Sequence, residues 1–132
     1  MNRYLIFFPA LFLGSACFAQ EDGTRLSRDE LLAFLPNAEV TSFSKAGSVR
    51  RWKNGPDGKF VASTDNKKYG GPLGGSSSSA VGTWEVNEQG KYCIRIDWKR
   101  ETEDWCAYIV KDADGGYYLN RVDPTRKIEF RK

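Results

Sequence analysis

The sequence predicts a mainly β protein, a small antiparallel meander that closes into a barrel or sandwich, lipocalin-like in outline, with one short N-terminal helix. From residue 38 onward, short segments that alternate apolar and polar residues are separated by turn-forming residues, as in strands that are joined by hairpins. The clearest turns are 54–58 (NGPDG), 88–90 (EQG) and 112–116 (DADGG). Short strands at this spacing indicate an antiparallel meander.

The short helix is predicted immediately before the first strand. Ser27 and Glu30 form the S-x-x-E pattern of a capping box at its start. Pro36 ends it, because the residue before a proline avoids the α region. The apolar residues between these positions supply the face that packs on the sheet: Leu31, Leu32, Phe34 and Leu35.

Residues 1–19 have the layout of a secretory signal peptide, with a basic start, an apolar run and small residues before Ala19. The apolar run is shorter than the roughly 20 residues that span a bilayer. The alternative is a lipoprotein signal with the lipid on Cys17, but the apolar residue that such a signal needs lies one place too far away. We therefore predict cleavage after Ala19, no transmembrane span, and a periplasmic or secreted single domain over residues 20–132.

The composition excludes several classes of function. The chain has 132 residues, of which 40% are hydrophobic and 14% aromatic, enough for one modest core. It has no histidine, which removes the commonest general base and metal ligand. Removal of residues 1–19 leaves 19 basic and 17 acidic residues, a net charge of +2 that is too small to indicate nucleic acid. The sequence indicates no catalytic residues, no metal and no cofactor.

The two cysteines after the signal peptide are interpreted as a structural disulfide. Cys93 and Cys106 lie at equal distances from a point between Lys99 and Arg100, so a hairpin that is centred there sets them opposite each other. Opposed strand positions place Cβ atoms about 4.5–5.5 Å apart, close to what a disulfide requires. A redox site would more typically be C-x-x-C, and a zinc site would need further ligands. An exported protein favours the disulfide.

The same hairpin sorts its side chains onto two faces. The apolar face is predicted to be buried and contains Tyr92, Ile94, Ile96, Trp98, Trp105, Ala107 and Ile109. The polar face contains Cys93, Arg95, Asp97, Thr102, Asp104 and Cys106. This register sets Arg95 opposite Asp104. The polar face is interpreted as solvated, and the alternative is that it lines a ligand site inside a barrel.

The stretch 65–79 (DNKKYGGPLGGSSSS) is predicted to be a flexible loop, because it is rich in glycine and serine and has no periodicity. Its glycines have the outer spacing of a phosphate-binding loop, but Ser76 stands where that motif needs lysine. The turn at 112–116 lacks the glutamate of a calcium loop. Neither segment is therefore assigned a ligand.

Four segments together resemble a known family: GTWEV (82–86), GKYCIRIDW (90–98), DWCAYIV (104–110) and DGGYYL (114–119). The resemblance is to small exported proteobacterial proteins of the domain-of-unknown-function family 995. It implies an exported, mostly β domain, and it provides no catalytic residues to transfer. The glycine-serine tract departs from the family pattern.

We predict a non-enzymatic binding or accessory protein of the bacterial cell envelope, whose partner is a small or partly apolar ligand or another protein. The candidate surface consists of Trp52, Trp84, Arg95, Asp97 and Asp104. The alternative is a proteinaceous inhibitor of a periplasmic or host hydrolase such as lysozyme. A third hypothesis, a carboxylate hydrolase, requires two acidic residues to converge in one pocket, and its candidates are Asp97, Glu101, Glu103 and Asp104.

Overall fold

A computed structural model of the protein describes residues 23–44, 47–65 and 78–132. In chain order, its elements are β1 (Thr24–Arg25), α1 (Arg28–Phe34), β2 (Glu39–Phe43), β3 (Val49–Lys53), β4 (Lys59–Thr64), β5 (Ser78–Val86), β6 (Tyr92–Asp97), β7 (Thr102–Ala107), β8 (Ile109–Lys111), β9 (Tyr117–Leu119), a 3-10 turn (Pro124–Arg126) and β10 (Lys127–Arg131). The predicted signal peptide, Cys17 and most of the predicted loop lie outside these residues.

The ten strands form one antiparallel sheet that curls into a half-barrel, in the order β1-β8-β9-β10-β2-β3-β4-β5-β6-β7. Neighbouring strands lie about 4.8 Å apart, so strands four places apart in a flat sheet would be separated by about 19 Å. Arg50 on β3 nevertheless bonds directly to Glu103 on β7, four places away. The sheet is therefore strongly curved, and the prediction of a mainly β antiparallel protein is confirmed.

The predicted apolar face of the hairpin requires one strand from Trp105 through Ile109, but the chain divides at Tyr108 into β7 and β8, which corrects that prediction. β7 pairs with β6, whereas β8 pairs with β9 and with β1 near the other end of the strand order. Asn120 holds the division: its side-chain oxygen accepts the Tyr108 N–H at 2.9 Å, and its own N–H donates to the Tyr108 carbonyl at 2.8 Å. The Tyr108 backbone is thus satisfied while the chain changes its strand partner.

Two further boundaries differ from the sequence prediction. Thr24 and Arg25, which precede the predicted helix and were assigned to no strand, form β1 against β8. Ser78 and Ser79, predicted to end the flexible loop, pair with Thr64 and Ser63 as the first residues of β5. Backbone pairing with β4 outweighs the loop-forming composition of these serines, because each pair adds ladder hydrogen bonds.

The single α-helix of the described residues begins as predicted. The Ser27 hydroxyl accepts the Glu30 N–H at 3.1 Å, and the Glu30 carboxylate accepts the Ser27 N–H at 2.7 Å, so the capping box is confirmed. Leu31 and Leu35 are fully buried against the sheet, whereas Leu32 is exposed. Leu32, one of the four residues of the predicted apolar face, therefore does not pack on the sheet.

The interior of the half-barrel is filled by aromatic side chains around Tyr92. Its ring contacts those of Trp84, Trp105 and Phe130 at centroid distances of 6.0–6.2 Å. Its hydroxyl donates to the buried Asn54 side chain at 2.7 Å. Burial raises the pKa of the Tyr92 hydroxyl above its usual value, and its hydrogen bonds offset only part of that rise. Tyr92 is thus a neutral, hydrogen-bonded core residue.

Candidate functional site

The cysteine pair forms the predicted disulfide at the predicted register. Cys93 on β6 lies directly opposite Cys106 on β7, with a Cα–Cα distance of 4.0 Å. Cys93 is nearly buried and Cys106 is exposed. The bond fastens β7, which pairs with one neighbour only and ends the sheet, to the strand beside it.

Three of the five predicted surface residues lie together on the outer face of β6 and β7. The Arg95 guanidinium lies 3.5 Å from the Asp97 carboxylate and 3.9 Å from the Asp104 carboxylate. All three side chains are exposed, so these ion pairs contribute at most about 1 kcal/mol. The predicted pairing of Arg95 with Asp104 is confirmed, and its members face away from the interior.

The other two predicted residues lie on the inner face. Trp52 is buried, and its indole N–H is within hydrogen-bond distance of Tyr92 at 3.0 Å and of Asn54 at 3.1 Å. Trp84 is half-buried, and its indole N–H donates to the Gly55 carbonyl at 2.8 Å. The sheet therefore separates these tryptophans from Arg95 and its partners, and the five residues do not form one surface.

An apolar groove lies beside Arg95 on the outer face of β4, β5 and β6, with a volume of about 570 Å³. Val61 and Val81 lie opposite each other in it and are 64% and 65% exposed. Gly82 beside them leaves room for the Phe60 ring on the inner face, because a Cβ at this position would lie 2.3 Å from that ring. We call the outer-face groove that contains Val61 and Val81 the valine groove. Charged residues surround it: Asp57, Lys59, Arg95 and Asp97.

A second concavity, the Phe43 groove, adjoins the first on the outer face and has a volume of about 930 Å³. Val61 lines both grooves. Phe43 is 37% exposed and lies on β2, which β3 separates from the strand of Val61. The described part of the chain has four exposed large hydrophobic residues. Three of them, Phe43, Val61 and Val81, line the two grooves, and the fourth, Leu32, lies on the helix.

A polar cluster that the sequence analysis did not identify lies on the inner face. The Glu103 carboxylate receives both Arg50 Nε, at 3.0 Å, and Arg50 Nη2. The indole N–H groups of Trp98 and Trp105 also donate to it, at 3.1 Å and 2.9 Å. The side chains of Arg50 and Glu103 are only 14% and 12% exposed. Four donors thus converge on one largely buried carboxylate.

The pKa of Glu103 reflects this environment. Burial alone would raise it, but the hydrogen bonds from Arg50 and Trp105, the Arg50 charge and the hydrogen bond from Trp98 together hold the pKa below its usual range. A carboxyl with a depressed pKa in the folded state stabilises the fold above its unfolded pKa of about 4.3. That stabilisation is lost as the pH falls through the folded pKa.

We expect this pKa shift to be visible as a pH-dependent difference between the wild type and Glu103→Gln. At pH 7 the variant unfolds at a lower urea concentration, and the difference in unfolding free energy narrows as the pH falls below about 4. Urea denaturation at pH 7, 5, 4 and 3, followed by tryptophan fluorescence, measures it. A difference that stays constant down to pH 3 would show that the Glu103 charge does not stabilise the fold.

The carboxylates of the hydrolase hypothesis divide between the two faces of the sheet, and two of them, Asp97 and Asp104, lie near each other at Arg95. Glu103 points into the half-barrel, whereas Asp97 and Asp104 lie on the outer face. Glu101 is exposed in the turn between β6 and β7. Strand alternation could have identified Glu103, because Glu103 lies two residues before Trp105 and therefore on the same face, which was predicted to be buried.

Metal-ligating side chains do not gather in the described residues: no three histidine, cysteine, aspartate or glutamate side chains there lie close enough to hold an ion. The helix of the described residues is too short to span a bilayer.

The fold and its outer face define a mainly β half-barrel domain with one structural disulfide and an exposed apolar groove. The chain belongs to a family of proteins of unknown function, DUF995, which matches residues 10–132. The family resemblance seen in the sequence is therefore confirmed. No curated protein and no solved structure matches the chain.

Proposed function

We propose that the protein is an exported, non-enzymatic accessory protein of the bacterial cell envelope that binds an extended, partly apolar segment of a protein partner. The valine groove is the binding site in this proposal. The observation that carries it is the exposure of Val61 and Val81, which lie opposite each other on two neighbouring strands away from the sheet edges and are both about two-thirds exposed.

The exposed valines supply affinity. Burying one valine side chain completely contributes roughly 1.5 kcal/mol, so covering both at their present exposure contributes about 2 kcal/mol. A factor of ten in affinity corresponds to about 1.4 kcal/mol. The two valines therefore account for more than a tenfold gain in affinity for an apolar segment over a polar one.

The shape of the outer face favours an extended partner over a small molecule. The valine groove is an open concavity on the sheet surface, and it continues into the Phe43 groove at Val61. Small-molecule sites normally bury 70–90% of their ligand, roughly, which an open groove does not do. An extended chain suits it better, because alternate side chains can lie on the valines while the others reach the charged rim.

The charges around the valine groove favour a peptide over a polymer of one charge sign. Lys59 and Arg95 are positive, and Asp57 and Asp97 are negative. Uniformly anionic or cationic polymers would meet repulsion as well as attraction at such a rim. A peptide with apolar residues and charges of both signs complements it.

Export is the second part of the proposal. The predicted signal sequence in residues 1–19 supports it, and so does the disulfide between Cys93 and Cys106. Disulfides persist in oxidising compartments such as the periplasm and are rare in the cytosol.

Binding is tested with synthetic eight-residue peptides that alternate valine with lysine and aspartate. We expect saturable changes in the backbone amide chemical shifts of Val61, Val81 and their neighbours. In the variant Val61→Thr/Val81→Thr the affinity should fall about tenfold, because threonine keeps the side-chain shape but replaces an exposed methyl group with a hydroxyl. Exposed substitutions of this kind change stability by about 0.5 kcal/mol or less.

Leu32→Gln is the matched control, because it removes an exposed apolar side chain on the helix, away from the groove. We expect it to leave the peptide affinity unchanged. The absence of saturable shifts, or an equal loss in the control, would contradict the proposal. Two other results would also contradict it. If the protein bound no peptide but self-associated, and the threonine variant abolished that association, the occupant of the groove would be a second copy. If it bound no peptide but bound phosphatidylcholine vesicles, and the threonine variant abolished that binding, the occupant would be a lipid.

A further inference from the structure

Two cations from distant parts of the sheet meet at the ring of Tyr108. The Arg25 guanidinium lies 3.7 Å from the ring centroid, and Lys91 Nζ lies 5.1 Å from it. Arg25 comes from β1, at one end of the strand order, and Lys91 directly precedes β6, near the other end. Tyr108 lies at the division between β7 and β8. Curling of the sheet therefore gathers these groups, which are far apart in sequence.

A third cation, Arg28, is held by the same turn as Lys91. Its Nε donates to the Asn87 carbonyl at 3.1 Å, and the Asn87 side-chain oxygen accepts the Lys91 N–H at 2.9 Å. Gly90, in the same turn, has φ +84°. A Cβ at Gly90 would lie 3.6 Å from the backbone nitrogen of Arg28. The backbone of this turn therefore approaches Arg28 closely, which keeps Arg28 and Lys91 near each other.

These three positive charges have no carboxylate partner within 4 Å in the part of the chain that the structure describes. The carboxylate of Glu30, two residues after Arg28, is bound to the Ser27 N–H. Like charges that are brought together without a counter-ion repel one another and attract anions. A guanidinium that packs on an aromatic ring still has the N–H donors along its edge available for an anion.

We propose that Arg25 and Lys91 at the Tyr108 ring, together with Arg28 beside the 87–91 turn, form a binding site for a phosphate group, carried either by a soluble phosphate ester or by a lipid headgroup. Arginine edges bind phosphate oxygens in pairs, and lysine adds a compact positive charge. A phosphate dianion offsets more of the local charge than a carboxylate does. The site shares no residue with the valine groove, so it goes beyond the proposed function and does not depend on it.

The site is tested by titrating the isotope-labelled protein with inorganic phosphate and recording amide and arginine Nε chemical shifts. We expect saturable shifts at Gly90, Lys91, Tyr108 and the Arg25 Nε. A parallel sedimentation assay uses vesicles of phosphatidylcholine with and without phosphatidylglycerol. Binding to the anionic vesicles identifies a lipid headgroup as the source of the phosphate, and binding of inorganic phosphate alone identifies a soluble ester.

The variant Arg25→Gln/Lys91→Gln should weaken phosphate binding at least fivefold. The control variant Lys127→Gln/Arg131→Gln removes the same net charge from two exposed cations on β10 that already pair with carboxylates, and it should bind phosphate like the wild type. Thermal denaturation of both variants checks that they are folded. Equal weakening in the two variants, or no saturable shift in the wild type, would overturn the proposal.

Discussion

Replacement of Glu103 by glutamine is expected to lower the free energy of unfolding by about 3 kcal/mol at pH 7, the lower end of the range for breaking a buried ion pair. Glutamine keeps the size of the side chain but removes its charge. The Arg50 guanidinium, only 14% exposed, would then lie in the half-barrel without a counter-charge. The residual exposure of both side chains places the expected loss at the lower end of that range.

The loss extends beyond the ion pair because the carboxylate also accepts two indole N–H groups. Trp98 and Trp105 donate to different oxygens of Glu103. Glutamine presents one oxygen and one NH₂ group, so it cannot accept from Arg50 and from both tryptophans in the present geometry. Some of these donors would be left without partners inside the half-barrel, which is unfavourable.

Urea denaturation measures this effect, with Asp104→Asn as the matched control. Asp104 follows Glu103 in β7, but its side chain is exposed and lies 3.9 Å from Arg95, so we expect a change of less than about 1 kcal/mol. The double variant Arg50→Met/Glu103→Leu should be more stable than Glu103→Gln, because neither charge remains buried. If Glu103→Gln were as stable as Asp104→Asn, the cluster would not stabilise the sheet.

The sequence predicted the register of the β6–β7 hairpin correctly because two independent local signals agree there. The cysteines fix the centre of the hairpin, and the alternation of Tyr92, Ile94 and Ile96 fixes which face is buried. The structure has Cys93 opposite Cys106 and Arg95 opposite Asp104. Information of this kind lies within a few residues, so it can be read without knowledge of the rest of the fold.

The Arg50–Glu103 contact could not be predicted in the same way. The two residues are separated by 53 positions and by three intervening strands. Alternation places Arg50 on the face of Trp52 and Glu103 on the face of Trp105. Their contact also requires the curvature of the sheet, which depends on the packing of all the strands and the helix rather than on any local pattern.

Only three of the five residues of the predicted candidate surface come together, for a related reason. Arg95, Asp97 and Asp104 are brought together, as their hairpin register requires. Trp52 and Trp84 were included because of their aromatic character, and they lie on the inner face. The valine groove was not predicted, since Val61 and Val81 become neighbours only when β4 pairs with β5 across residues 66–77. The hydrolase-inhibitor hypothesis stays a prediction, which a lysozyme activity assay would test.

Loss of the disulfide is expected to lower the unfolding free energy by about 3 kcal/mol, because the bond restricts the unfolded chain over its short closed loop. At about 4 °C per kcal/mol for a domain of this size, the melting temperature of Cys93→Ala/Cys106→Ala should fall by roughly 12 °C. Reduction of the wild type should give the same value. The control Asp104→Asn changes the same strand but keeps the disulfide, and it should lower the melting temperature by less than about 4 °C. An unchanged melting temperature in the double alanine variant would refute a stabilising role of the bond.

The disulfide should also affect one part of the sheet more than the rest. β7 pairs only with β6, and the cysteines fasten these two strands from the outer face while Glu103 holds β7 from the inner face. Without the disulfide, amide hydrogen exchange should therefore accelerate most in residues 102–107. The valine groove is formed mainly by β4 and β5, so peptide affinity should change less than twofold. An equal acceleration of exchange in β4 and β5 would show instead that the bond supports the whole sheet.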